Sequence, residues 1–121
     1  MSIKAVADDI VAMNKAGEFH ACGEKYWADN VVSVEPGGPE GMDPVSKGKD
    51  AVRAKGQWWA DNHETQGAEV EGPYVNGDQF TCRFKMKVKV KSTGQVMDMD
   101  EHALYTIKNG KIVEERFFYG G

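Results

Sequence analysis

Apolar and polar positions follow a helical period through the first half of the chain. Apolar residues recur every three or four positions over residues 3–16, which predicts a first helix with Gly17 as its C-cap. The same spacing predicts a second helix over residues 18–29 and a third from residue 49 to about residue 63. The first half is therefore predicted to be mainly helical.

A short strand and a loop are predicted between the second and third helices. Val31, Val32 and Val34 favour an extended backbone, and Pro36 ends this strand or marks its edge. Residues 37–44 are rich in glycine and proline, which predicts a mobile loop. Such a loop could be either a lid over a site or a simple connector.

Apolar and polar residues alternate in the second half of the chain. This pattern predicts strands over residues 68–75, 80–90, 95–107 and 111–119, separated by tight turns. The strand over residues 80–90 has one apolar face, while its other face is mostly lysine and arginine. One buried face and one solvent-exposed face are typical of an antiparallel sheet that covers helices. The sequence therefore predicts a single α+β domain over residues 1–121.

Composition and charge narrow the classes of partner. The net charge is −4, and the 15 basic residues are spread along the 121-residue chain, so we expect no nucleic-acid partner. No apolar run is long enough to cross a membrane, and the acidic first residues do not resemble a signal peptide. We therefore expect a cytoplasmic protein without a membrane partner, in which Cys22 and Cys82 are reduced core residues.

Three segments resemble a known family. Residues 26–36, YWADNVVSVEP, resemble the helix-to-first-strand segment of SnoaL-like proteins and ketosteroid isomerases. Residues 109–115, NGKIVEE, are similar to the last hairpin of that family, and residues 48–52 are similar to the start of its third helix. The resemblance identifies the chain as a SnoaL-like or ketosteroid isomerase-like member of the nuclear transport factor 2-like superfamily.

The resemblance implies both a fold and a partner. The expected fold is an α+β cone-shaped barrel, in which a curved antiparallel sheet wraps around three N-terminal helices. A pocket at its open end would hold a small apolar molecule that contains a carbonyl group, and two copies would pack through the sheet as a homodimer. No organic cofactor is implied.

The resemblance also places Glu35 where ketosteroid isomerases keep the aspartate that moves a proton beside a carbonyl. A carboxylate at the mouth of an apolar cavity can act as a general base, because desolvation raises its pKa. The alternative is that Glu35 is a solvated residue at the end of a strand. The two hydrogen-bond donors of those isomerases correspond to Ile10 and to a position near Ala103, so steroid isomerase activity is not implied.

Glu101 and Glu115 are the other two candidate catalytic residues. Glu101 is in phase with Met99 and Ala103, and Glu115 is in phase with Val113 and Phe117. If both faced inward with Glu35, mutual repulsion would keep at least one of the three carboxyls protonated. Alternatively, Glu101 turns outward and Glu115 pairs with a lysine of the basic strand face. These alternatives are favoured, because acids are rarely buried without partners.

The remaining candidates are apolar, aromatic or metal-ligating. Asp98, Asp100 and His102 share the opposite face of their strand, but three such residues without a fourth ligand do not predict a metal site. Tyr26, Tyr105 and Tyr119 could each offer a hydroxyl to a bound carbonyl. The predicted lining of the pocket is Tyr26, Trp58, Trp59, Phe84, Met86, Met99, Tyr105, Phe117 and Tyr119.

Two kinds of function remain open. One is a small-molecule enzyme that transfers protons on an apolar carbonyl compound, as an isomerase, cyclase or hydratase, with Glu35 as the base. The other is a non-catalytic ligand-binding or dimerisation module, because one fold serves many functions. They differ in whether a buried acid with a raised pKa lies within reach of a polar donor.

Overall fold

The computed structural model describes residues 2–37 and 42–120, and the predicted loop of residues 37–44 therefore lies partly outside the described residues. No helix in these ranges is long and apolar enough to cross a membrane. The elements along the described chain are α1 (Ile3–Lys15), α2 (Phe19–Tyr26), β1 (Trp27–Val34), β2 (Val45–Lys47), α3 (Lys49–Asn62), β3 (His63–Asn76), β4 (Gln79–Val90), β5 (Val96–Lys108) and β6 (Lys111–Phe118).

The six strands form one curved, open sheet in the order β2-β1-β6-β5-β4-β3. The predicted α+β architecture is confirmed, but the expectation of a wholly antiparallel sheet is wrong, because β1 pairs with β6 in parallel. The direction of β6 is set by its tight hairpin with β5. A long stretch of chain separates β1 from β6, so no tight turn forces these two strands to run antiparallel.

The core lies between α1 and the inner face of the sheet. Ser2 caps α1 by accepting a hydrogen bond from the backbone N–H of Ala5. The predicted apolar stripe of α1 is confirmed, since Val6 and Ile10 are fully buried against the sheet. Their burial is a main source of stability, because a buried aliphatic side chain contributes about 1.5–3 kcal/mol.

The two cysteines belong to this core, as predicted. Cys22 and Cys82 are buried and unpaired. Burial raises the pKa of each thiol to about 12, so both stay protonated and unreactive at neutral pH.

The boundary between α2 and β1 differs from its prediction. The predicted second helix ran through residue 29, but α2 ends at Tyr26 and Trp27 begins β1. Trp27 pairs with Ile112 of β6, and this long-range pairing outweighs the local helical pattern. Gly23 permits the turn, because a Cβ at this position would collide with the indole ring of Trp27.

Two further strand segments were missed. β2 pairs antiparallel with the end of β1, although its three residues show no clear alternation. β3 begins at His63, five residues before the predicted start, because residues 63–67 pair with the end of β4. Both segments are defined by their partner strands rather than by their own sequence.

Candidate functional site

The three predicted catalytic glutamates belong to neighbouring strands or strand ends on the inner side of the sheet. Across the sheet, Ser33 of β1 is level with Glu115 of β6, which is level with buried Tyr105 of β5. Glu101 lies on the same face of β5 as Tyr105, and Glu35 follows Ser33 by two residues. The sheet therefore directs all three positions toward its helix-covered side.

Glu115 is the most deeply buried of the three. Its side chain accepts hydrogen bonds from the indole N–H of Trp27 at 2.7 Å and from the hydroxyl of Ser33 at 2.9 Å. Burial raises the pKa of Glu115, while attraction to Lys55 and the two hydrogen bonds oppose that effect. The favoured alternative, in which Glu115 pairs with a lysine on the outer face, is wrong.

A bulge in β6 accounts for the inward position of Glu115. Ile107 pairs with Ile112, whereas Thr106 pairs with Glu114, so Val113 is an extra residue in β6. Ile112 and Glu115 are both buried as a result. The prediction that Val113 and Glu115 lie on the same face of the strand is therefore wrong. A prediction that assumes strict alternation of inward and outward residues along β6 cannot show where such a bulge lies.

Glu101 also faces inward, which rules out the favoured outward register. It pairs across the sheet with Phe84, a buried residue on the apolar face of β4. Burial and the negative charge of Glu35 raise the pKa of Glu101 to about 7, although Lys55 acts in the opposite direction. A glutamate with this pKa exchanges its proton at neutral pH.

Glu35 is paired rather than simply solvated. Its carboxylate accepts a hydrogen bond of 3.1 Å from the ammonium of Lys55, and only 23% of its side chain is exposed. Lys55 lies on α3, and it also donates to the hydroxyl of Ser33. Its ammonium lies 5.3 Å from the centre of the Phe117 ring. Ser33 thus accepts from Lys55 and donates to Glu115, which joins two charged groups through one hydroxyl.

Three residues of this arrangement were not predicted as site residues: Trp27, Ser33 and Lys55. Ser33 could have been found from strand alternation, because it shares a face with Glu35. Lys55 had a weaker signal, since it lies in line with Val52 and Trp59 on the helix face that should be apolar. No sequence pattern pointed to Trp27 as a site residue, because it lies within the predicted second helix.

Several predicted lining residues adjoin the acids. Phe117 lies beneath Lys55, and Phe84 is the cross-strand neighbour of Glu101. Tyr105 is buried between Phe80, 5.0 Å away between ring centres, and Phe117, 6.5 Å away. Burial and the nearby charge of Glu35 raise the pKa of the Tyr119 hydroxyl.

The other predicted lining residues are engaged elsewhere. The hydroxyl of Tyr26 donates to Asp9, so it is not free for a bound carbonyl. Trp59 stacks on His63 with 4.6 Å between ring centres, and Trp58 meets the same ring edge-on while remaining 37% exposed. By contrast, Met86 and Met99 pair with each other across β4 and β5, next to the Phe84–Glu101 pair on the same face of the sheet.

Two broad depressions mark the described surface. One, of about 410 Å³, is lined by residues that include Trp27, Asp29 and Lys111. The other, of about 720 Å³, includes Met86 and Met99. Neither is lined by Glu35, Glu101 or Glu115, so a ligand pocket at the acids stays a prediction.

The outward trio of β5 has other partners. Asp98, Asp100 and His102 are exposed on the outer face, as predicted. Arg83 binds Asp100 through two hydrogen bonds of 2.9 Å and 2.6 Å, which occupies both carboxylate oxygens. Among residues 2–37 and 42–120, no three His, Cys, Asp or Glu side chains are grouped so that they could hold a metal ion.

Comparison with protein families and solved structures agrees with this fold. The family described as SnoaL-like domain matches residues 1–119. A Mesorhizobium loti protein, provisionally named a SnoaL-like polyketide cyclase with carbohydrate phosphatase in brackets, is 53% identical. The alignment covers 98% of this chain and 100% of that one, with a TM-score of 0.91. No curated protein sequence matches this chain.

More distant structures share the fold alone. A Bacillus subtilis protein provisionally named an isomerase is 19% identical, with a TM-score of 0.82 over 99% of this chain and 90% of that one. A Catenulispora acidiphila protein with a ketosteroid isomerase-like fold, solved in complex with trimethylamine, is 14% identical. Its TM-score is 0.71 over 91% of this chain and 81% of that one.

Proposed function

Because the chain belongs to the SnoaL-like domain family, we propose that it is a small-molecule enzyme that transfers protons on an apolar carbonyl compound. The observation that carries this proposal is Glu101, a partly buried acid with a pKa of about 7, within the electrostatic influence of the Glu35–Lys55 ion pair. Neighbouring carboxyls in different environments divide the acid and base roles between them. The reaction would be an isomerisation, a cyclisation or a hydration.

The two carboxyls have complementary roles in this reaction. The Glu35 carboxylate removes a proton from the carbon next to the carbonyl group, and the electron pair of that C–H bond moves into the carbonyl to form an enol. Glu101 enters the step protonated and gives its proton to the carbonyl oxygen. Glu35 then gives its proton to another carbon while the enol O–H returns its proton to Glu101, which re-forms the carbonyl, completes an isomerisation and leaves both groups ready for the next cycle.

The charge of the site bears on the class of substrate. Lys55 is paired with Glu35, and Glu101 and Glu115 add no positive charge, so these residues offer an anionic substrate no net attraction. A neutral carbonyl compound needs no such attraction, and the polyketide cyclase name of the Mesorhizobium loti protein agrees with it. The bracketed name carbohydrate phosphatase fits this chain less well, because a phosphate ester is anionic.

Isotope exchange tests this proposal without knowledge of the natural substrate. Cyclic ketones and 1,3-diketones would be incubated with the protein in D₂O, and loss of the α-proton signal would be followed by NMR. We expect accelerated exchange with at least one compound, loss of that acceleration in Glu35→Gln, and partial retention in Glu35→Asp. Glu64→Gln, a change at an exposed glutamate, should exchange at the wild-type rate. Equal exchange by wild type and Glu35→Gln would refute the proposal.

A homodimer formed through the outer face of the sheet is part of the same proposal. Phe118 supports it, because this outward residue of β6 is 49% exposed and lies beside His102 of β5. A large exposed aromatic residue on a sheet face is typical of an interface. The ion pairs around Arg83 would flank this contact.

A second candidate function is a non-catalytic ligand-binding or dimerisation module. Two observations favour it: Lys55 already binds Glu35, and neither of the two broad depressions is lined by any of the three glutamates. Such a module would bind apolar compounds without exchanging their protons. The same NMR experiment separates the two functions, because ligand resonances would broaden on binding while the α-proton signal persisted.

A further inference from the structure

We infer that Lys55 donates a hydrogen bond to the carbonyl oxygen of the substrate and stabilises the negative charge that develops there. This inference rests on the proposed proton transfer. The positions that correspond to the isomerase donors cannot serve, because Ile10 and Ala103 are fully buried and carry no hydrogen-bonding side chain. Glu101 gives its proton to this oxygen, and a second donor would stabilise the negative charge that develops there before the transfer is complete.

The geometry of Lys55 leaves a donor for this purpose. A lysine ammonium has three N–H bonds. Within the described residues, one N–H of Lys55 donates to Glu35 at 3.1 Å and another donates to Ser33. The third can donate to a ligand oxygen beside Glu35, which is the proposed base. Base and donor would thus act on adjacent atoms of one carbonyl group.

Buried partners hold Lys55 in this position. Ser33, which is fully buried, accepts from Lys55 and donates to Glu115 at 2.9 Å. Glu115 is fixed in turn by the indole of Trp27 at 2.7 Å. An ammonium held by fixed hydrogen bonds does not need to reorganise when charge appears on the substrate, and this is what makes such a donor effective. Ser33 and Glu115 are therefore positioning residues for Lys55.

The surroundings keep the ammonium near several negative groups. Glu35, which directly follows β1, lies beside it, Glu115 of β6 acts on it through Ser33, and Glu101 of β5 also lies within the influence of its charge. Tyr119, beyond the end of β6, lies close to Glu35. These groups surround the N–H bonds of Lys55, which can only donate hydrogen bonds.

Binding of 2-naphthol tests this role without turnover. The naphthol oxygen on a flat ring is similar to an enolate oxygen, and its neutral and ionised forms absorb at different wavelengths. Affinity would be measured by calorimetry and the ionised fraction by absorbance. We expect Lys55→Met to weaken binding about tenfold to a hundredfold and to lower the ionised fraction, whereas Lys55→Arg should retain most of both. Lys47→Met, the same substitution at an exposed lysine of β2, should bind as wild type does.

A second pair of variants tests the positioning. Ser33→Ala removes the anchor of Lys55 without changing any charge, and we expect it to weaken naphthol binding severalfold. Ser46→Ala changes the residue paired with Ser33 across β1 and β2, so it is a matched control that should bind normally. Equal binding by Ser33→Ala and Ser46→Ala would mean that Ser33 does not position Lys55.

The outcomes separate this inference from the proposed function. If wild type fails to bind 2-naphthol, or Lys55→Met binds it as well as wild type does, the inference is overturned even where Glu35-dependent proton exchange is seen. If naphthol binding depends on Lys55 but no ketone exchanges its protons, Lys55 is confirmed as a hydrogen-bond donor and the proposed proton transfer is refuted.

Discussion

The side chains of Ser33 and Glu115 meet across the parallel pair β1 and β6, where the Ser33 hydroxyl donates to the Glu115 carboxylate at 2.9 Å. This bond joins two strands that are far apart in sequence, at the place where the sheet departs from an antiparallel order. It also connects a buried acid to Lys55. The same contact therefore serves both the fold and the candidate site.

Replacement of Glu115 by an apolar residue should destabilise the protein. Glu115→Leu leaves the Trp27 N–H and the Ser33 hydroxyl without their acceptor, and an unsatisfied buried polar group costs about 1–3 kcal/mol. Glu115→Gln preserves one carbonyl acceptor and should cost less. Urea denaturation would measure both. A Glu115→Leu protein as stable as wild type would show that these hydrogen bonds contribute little.

Gly23 should not tolerate a side chain. A Cβ at this position would collide with the Trp27 ring, so we expect Gly23→Ala to lower the free energy of unfolding by about 1–3 kcal/mol. Gly56→Ala is a matched control in α3, where a new Cβ meets no neighbour. It should raise stability by about 0.5–1 kcal/mol, because alanine favours a helix. Thermal denaturation of both variants checks the contrast, and a neutral Gly23→Ala would contradict the packing described for Trp27.

Stability should fall as the pH rises from about 4.5 toward 7. The pKa of Glu101 is raised from 4.5 to about 7, so the folded protein holds this proton more tightly than the unfolded chain does. The contribution is complete below the unfolded pKa, and up to roughly 3 kcal/mol is lost by the time the pH passes the folded pKa. Burial of Glu115 acts in the same direction.

Glu101→Gln should flatten this pH dependence, because glutamine is similar to the protonated acid and does not titrate. Urea midpoints at pH 5, 6, 7 and 8, as rough sampling points across the window, would measure the effect. We expect the variant to gain most over wild type at the highest pH. Parallel curves for the two proteins would mean that Glu101 is not protonated at neutral pH in the folded state.

Disruption of the outer face should shift the protein toward the monomer. Phe118→Arg places a charge at the proposed contact, where a buried and unpaired charge is costly. Val75→Arg is a control of the same kind at an exposed residue that pairs with inward-facing Phe80. Size-exclusion chromatography with light scattering should show a dimer for wild type and Val75→Arg, and a monomer for Phe118→Arg. A monomeric wild type would rule out the dimer.

The sequence predicted those parts of the fold that depend on local periodicity. The stripe through Val6 and Ile10 defined α1, and the alternation through Phe80 and Phe84 defined β4, because each pattern extends over many residues. β2 and the start of β3 were missed, since short strands depend on their partners. The parallel direction of β1 was not predicted, because it depends on pairing with β6, a strand that is distant in sequence.

The candidate site was predicted only in part, for a related reason. Strand alternation placed Glu101 on the correct face, but a general rule against buried acids favoured the opposite orientation. That rule failed for Glu115 because Trp27 and Ser33 supply the partners that make its burial tolerable. Partners contributed by other elements cannot be found from the pattern of a single strand. The contacts of Lys55 with Ser33 and Glu35 could not be predicted from the amphipathic pattern of α3, because both partners come from another element of the fold.

The most direct test of the proposed proton transfer is the titration of Glu101 itself. Protein with ¹³C-labelled glutamate would be titrated by NMR through its carboxyl resonances, and Glu101→Gln would assign the signal. We expect a midpoint of about 7 for Glu101, well above the usual value of 4.5. A midpoint at the usual value would mean that Glu101 holds no proton at neutral pH, and the acid proposed for the reaction would be lost.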